Sequence, residues 1–261
     1  MLKTLSLLCA IAALSVAFWP TPKPDKRILF IGNSLTYGNH LPEQVRRIAA
    51  SSTPPVTYEV VTVARAATVL LAHIQETNAV ETIQQGNWDV VVLQDGSSAA
   101  FDDGFRHYTE RAMPIMTREA HKIGATIIYY AHWPPGGKFA DIPEDIAIDK
   151  IEGLYAKASQ DFGGKVARSG KIWVQAHQNG ISGLYDEDGH HATLKGAYSA
   201  ALGIVAALGD ADPTTSSWAP RDYPQWELDF LRATASKLPP IVRSKSQQIM
   251  PRKTNLPQIS N

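Results

Sequence analysis

The sequence predicts an α/β protein, a three-layer α/β/α sandwich around a central parallel sheet of about five strands. Short runs rich in apolar and β-branched residues alternate along the chain with longer segments of helical period. Such alternation implies parallel strands covered by helices on both faces. Apolar residues make up 44% of the 261 positions, enough to cover both faces.

The first 17 residues read as a targeting segment. Lys3 precedes an apolar run over 5–18, and Ser15-Val16-Ala17 offers the small residues a signal peptidase prefers. Export to the periplasm or the extracellular space follows, with cleavage after Ala17. The alternative is an uncleaved anchor, although the run is shorter than the roughly 20 residues of a membrane span. Cys9, the only cysteine, lies inside this run, so the mature chain has no disulfide and no cysteine nucleophile. Residues 18–26 contain three prolines and read as a linker.

From there the elements follow in order. The first strand is expected over 27–31, a helix over 42–51, and a β-branched second strand over 57–63. A helix over 76–85 turns Val80 and Ile83 inward. The third strand spans 89–93, and a long helix 105–122. The fourth strand, 126–130, lies between Gly124 and the turn Pro134-Pro135-Gly136-Gly137. In the helix over 142–162, Ile142, Ile146, Ile151, Tyr155 and Ala158 share one face. A short fifth strand over 165–168 leads into a brief helix ending near Trp173. Thr193 caps an apolar helix over 194–208. A last helix, 223–236, packs through Trp226 and Phe230. The domain therefore spans 27–236. Residues 237–261, basic and proline-containing, read as a solvated tail. Formal net charge is zero, which argues against a nucleic-acid partner.

Two motifs carry chemistry. After the first strand, Gly32-Asn33 hands over to Ser34 just before a helix, a turn that exposes a hydroxyl at the lip of a parallel sheet. Near the other end, Asp188-Gly189-His190-His191 places a carboxylate three residues before an imidazole. One tight turn lets the carboxylate accept from Nδ1 and leaves Nε2 free to take a proton from serine. A metal site built from Asp186, Asp188, His190 and His191 is the competing reading, but no further ligands with zinc or calcium spacing accompany them.

Residues 32–36 and 188–191 resemble the first and last blocks of the SGNH hydrolases, the GDSL-type esterases, which have a flavodoxin-like fold. The resemblance implies Ser34 as nucleophile, His191 as base and Asp188 as its orienting partner, with no metal or organic cofactor. It also implies an oxyanion hole built from the Ser34 N–H and two further donors. The usual glycine after the second strand is absent here, and Ala66 stands near that place. The usual asparagine after the third strand is replaced by Gln94, as in a subgroup with a Leu-Gln-x-x-Ser-Ser pattern. Asn33, His132 and Trp133 are expected to line the substrate cleft, because they too follow strand ends at the carboxyl edge.

The implied activity is that of an exported serine esterase acting on small, acetyl-type esters, free or carried on a polysaccharide. A membrane would be met only through an uncleaved N-terminal segment. A non-catalytic carbohydrate-binding protein on the same scaffold and a lipid ester or thioester hydrolase are the alternatives.

Overall fold

The computed structural model describes residues 23–136 and 139–242. Six strands form one sheet in the order β2-β1-β3-β4-β5-β6. The strands are β1 (Lys26–Gly32), β2 (Tyr58–Ala64), β3 (Val90–Leu93), β4 (Thr126–Tyr130), β5 (Lys165–Ala167) and β6 (Ile241–Val242). The first five are parallel, and β6 pairs antiparallel with β5.

Side chains alternate between the two faces, as a pleated strand requires. Ile28, Phe30, Val90, Val92, Ile128 and Tyr130 enter one core, whereas Leu29, Ile31, Val91, Leu93, Ile127 and Tyr129 enter the other. The first core is closed by α2 (Leu41–Ala50), α7 (Ser169–Gln178), α8 (Leu194–Leu208) and α9 (Gln225–Lys237). The second is closed by α3 (Leu70–Glu76), α4 (Ala79–Gln85), α5 (Asp103–Lys122) and α6 (Glu144–Phe162). A single turn, α1 (Ser34–Tyr37), follows β1.

Helix α8 is buried nearly all round, because α2, α7 and α9 all pack on it. Its one buried charge, Lys195, is neutralised by Glu227 of α9 at 2.5 Å. That pair is well desolvated and ties the last helix to the body.

Several expectations are corrected, among them Trp226 and Ile146, which are exposed and do not pack their helices onto the body. The helix expected over 76–85 is α4, which starts only at Ala79, and a further helix, α3, precedes it over Leu70–Glu76. Thr77 breaks them apart, since its hydroxyl bonds to the His73 carbonyl and accepts from Ala79 N–H. Helix α7 runs on to Gln178 rather than ending near Trp173. Finally, Ile241 and Val242, assigned to the tail, add a sixth strand at the β5 edge, with Ile241 packed on the second core. Among the described residues no helix is long and apolar enough to cross a membrane. The expected targeting segment and most of the expected tail lie outside the described residues.

Candidate active site

The site begins where β1 ends. Gly32 is required there by close approach: a Cβ would lie 2.2 Å from Thr36 Oγ1 and 2.7 Å from Gln94 Oε1. Asn33 then caps α1, its Oδ1 accepting from Leu35 N–H at 3.0 Å. Ser34 is the first residue of that helix. Its own N–H therefore belongs to the N-terminal donors that have no intrahelical acceptor.

This turn is anchored from several sides. Gln94 Oε1 accepts from Asn33 N–H at 3.1 Å and from Thr36 Oγ1 at 2.8 Å. His73 Nε2–H, from α3, donates to the Gly32 carbonyl at 2.8 Å. Burial holds the His73 ring below its ordinary range, which keeps it neutral. The same Gly32 carbonyl also accepts from Arg65 N–H, at 3.2 Å. The Ser34 turn is thus joined to the loop after β2.

The histidine arrives on the loop between α7 and α8. Tyr185 and Ala192 pair as an isolated antiparallel bridge, and Asp186 N–H donates to the His191 carbonyl at 2.8 Å. Inside this hairpin, Asp188 Oδ1 accepts from the N–H groups of His190 (2.9 Å) and His191 (2.8 Å). Asp188 Oδ2 lies 2.5 Å from His191 Nδ1. The bond from His191, reinforced by the two backbone donors, holds the carboxyl well below the usual carboxylate range. An ionised Asp188 fixes the proton on Nδ1. Nε2 then carries the lone pair and accepts from Ser34 Oγ–H at 2.9 Å, across 157 residues of chain.

The loop after β4 buttresses the hairpin. Trp133 Nε1–H donates to the His190 carbonyl at 2.9 Å, and Tyr185 O–H to the Pro134 carbonyl at 2.7 Å. Trp133 stacks on Trp173 with ring centroids 4.7 Å apart. At Gly136 a Cβ would lie 1.9 Å from the Gly189 carbonyl, so only glycine lets the two loops meet there.

The structure brings Ser34, Asp188 and His191 together and corrects four other expectations. Gln94 is 0% exposed. Its oxygen accepts from the Ser34 turn and its nitrogen donates to the Asp95 carbonyl, so it braces the turn from beneath. Asn33 spends its carboxamide on the cap and on the Thr68 carbonyl, 3.1 Å away. His132 is buried, with Nδ1–H donating to the Trp133 carbonyl at 2.7 Å, and burial brings its pKa down to about 4. Trp133 is a buried strut. Asn33, His132 and Trp133 are buried where a cleft wall was expected, because a strand end can be a packing position as well as a rim. Ala66 stands on the exposed turn after β2, adjacent to β1 in the sheet.

Sequence reasoning missed His73 and Tyr185. His73 lies 41 residues from the carbonyl it holds, and no spacing rule connects them. Tyr185 could have been found, since it opens the segment that ends in the Asp-x-x-His run. Among the described residues no group of three or more His, Cys, Asp or Glu side chains could hold a metal ion.

A scan against protein-family models matched none, and a search of curated proteins also found no match. Solved structures do match. A protein from Slackia heliotrinireducens, described as a candidate SGNH hydrolase, is 26% identical, with a TM-score of 0.58 over 70% of this chain and 99% of its own. A DUF4886 family protein from Bacteroides uniformis is 16% identical, with a TM-score of 0.66 over 81% of this chain and 93% of its own. An acetylxylan esterase from Geobacillus stearothermophilus, a catalytic mutant, is 12% identical, with a TM-score of 0.56 over 71% of this chain and 95% of its own. The last two likenesses concern the fold alone. Shared architecture, a serine at the end of β1 and an Asp-x-x-His hairpin ahead of the last core helix agree with one another: this chain has the fold of the SGNH hydrolases and resembles them at both motifs.

Proposed function

We propose that this protein is an exported serine ester hydrolase acting on small, acetyl-type esters carried on carbohydrate. The observation that carries the reading is the continuous relay from Ser34 Oγ through His191 to Asp188, with contacts of 2.9 and 2.5 Å. In this reading His191 Nε2 takes the Ser34 proton as Oγ attacks the ester carbonyl. Asp188 stays ionised and stabilises the imidazolium that forms. The developing oxyanion is held by the N–H of Ser34 and that of Ala66. His191 then protonates the leaving alcohol, and a water activated by the same imidazole releases the acid.

The acetyl-type substrate takes its support from the acetylxylan esterase among the fold neighbours. Export takes its support from the apolar N-terminal run, and N-terminal sequencing of the protein from its native host should begin at residue 18. A non-catalytic binder would have no use for an aligned hydroxyl, imidazole and carboxylate. Ser34→Ala is expected to abolish hydrolysis of a short-chain aryl ester, by at least about 1,000-fold, while leaving the melting temperature unchanged. Undiminished turnover would show that Ser34 is not the nucleophile.

A further inference from the structure

Two non-glycine residues in a row adopt left-handed backbone just after the nucleophile helix: Asn39 (φ 49°, ψ 33°) and His40 (φ 55°, ψ 38°). Such a conformation is uncommon for any residue with a Cβ, and asparagine tolerates it better than most. Consecutive instances persist only where surrounding contacts hold them. Here those contacts lead to the histidine hairpin. Asn39 Nδ2–H donates to the Ala192 carbonyl at 2.7 Å, one residue beyond His191 and 153 residues away in sequence. The Asn39 carbonyl is held in turn by Gln44 Nε2–H at 2.9 Å, and the same amide nitrogen lies 3.4 Å from the Leu194 carbonyl. Gln44 is buried beneath the segment.

Apart from the Ser34–His191 contact itself, the Asn39–Ala192 bond is the direct hydrogen bond between residues 33–40 and the 185–192 hairpin among the described residues. The two halves of the site come from opposite ends of the chain and must stay in register within tenths of an ångström. We infer that Asn39 is a positioning residue, a strap whose carboxamide holds the histidine hairpin at working distance from Ser34. This inference rests on the serine-nucleophile reading above.

The experiment compares wild type, Asn39→Gly and Asn39→Asp by steady-state aryl-ester hydrolysis and by the rate of labelling with a fluorophosphonate. Ser34→Ala serves as the labelling control. Glycine accepts the left-handed backbone and removes the side chain that carries the carboxamide. Aspartate keeps the shape and sets an acceptor against the Ala192 carbonyl. A strap predicts a kcat loss of about 10-fold for Asn39→Gly and more for Asn39→Asp, with KM within about twofold and labelling slowed by the same factors. The losses persist well below each variant's melting temperature, where a merely structural defect would not be felt. Wild-type labelling that depends on Ser34, with Asn39→Gly and Asn39→Asp labelling just as fast, overturns the strap alone. Wild type that does not label at Ser34 overturns the nucleophile, and the strap with it.

Discussion

The two halves of the site are built to different standards. The Ser34 turn is almost entirely internal: Gln94 beneath it, His73 behind it and the Asn33 cap within it are all buried and hydrogen-bonded. The histidine hairpin is a surface loop, with Asp188 and His191 side chains still 50% and 41% exposed. It is held mainly by its own backbone, by Trp133 and Tyr185 on one flank and by Asn39 on the other. The difference teaches where each half is vulnerable. Damage to the turn is felt as lost stability, because the groups that shape it are core groups. Damage to the hairpin is felt as lost chemistry on a protein that still folds.

The largest expected effect comes from the exposed half. In Asp188→Asn the amide oxygen keeps the two backbone N–H bonds and turns the NH2 toward Nδ1, so the imidazole loses the tautomer that presents a lone pair to Ser34. The expected loss in kcat is about 1,000-fold, with the melting temperature changed by no more than a few degrees. Short-chain ester hydrolysis and a thermal melt on the same sample check both halves of the statement. A variant with near-normal kcat would mean that His191 does not need this carboxylate. A large drop in melting temperature would erase the contrast between hairpin and turn.

The reverse pattern is expected at Gln94. Replacing it by Ala leaves Asn33 N–H and the Thr36 hydroxyl without their shared acceptor inside the protein. Stranding buried donors and opening a cavity should cost about 2–4 kcal/mol of unfolding free energy, read from denaturant titration. If Gln94 were instead an oxyanion donor, stability would hold and kcat would fall by about 100- to 1,000-fold. One variant therefore separates a brace from a catalytic donor.

That contrast also explains what was legible in the sequence. Strand and helix alternation is written locally, in β-branched runs and helical periods, so five parallel strands could be read with boundaries a residue or two out. The Asp188–His191 relation is likewise local, three residues within one turn. The loop that carries Gln94 is legible from the strand before it, but nothing in a sequence says which way a side chain at a strand end points. Ile241 and Val242 were lost to the tail because a two-residue strand has no period of its own. It exists only because the β5 edge is there to pair with it. His73 and Asn39 act across 41 and 153 residues, through contacts that only the assembled fold defines.

The smallest expected effect lies beneath the hairpin. His132 leaves β4 beside Trp133, the strut of the hairpin, and burial depresses its folded pKa to about 4 from an ordinary value near 6.5. Its Nδ1–H bond to the Trp133 carbonyl acts against that shift and does not cancel it. Between pH 6.5 and 4 the unfolded chain binds a proton at this position that the folded one refuses. Stability therefore falls as pH drops through that window and levels off for this group below about 4. His132→Asn keeps a donor near the Nδ1 position and removes the titration. Its melting temperature should decline less steeply than that of wild type from pH 6.5 to 4. Glu43 is lowered to about 2, chiefly by its bond from Arg46, so its share of acid destabilisation falls between about pH 4.5 and 2 and is common to both proteins. Parallel melting curves for the two proteins across pH 4–6.5 would show that His132 is not a buried neutral imidazole, and the support beneath the hairpin would then have to be redrawn.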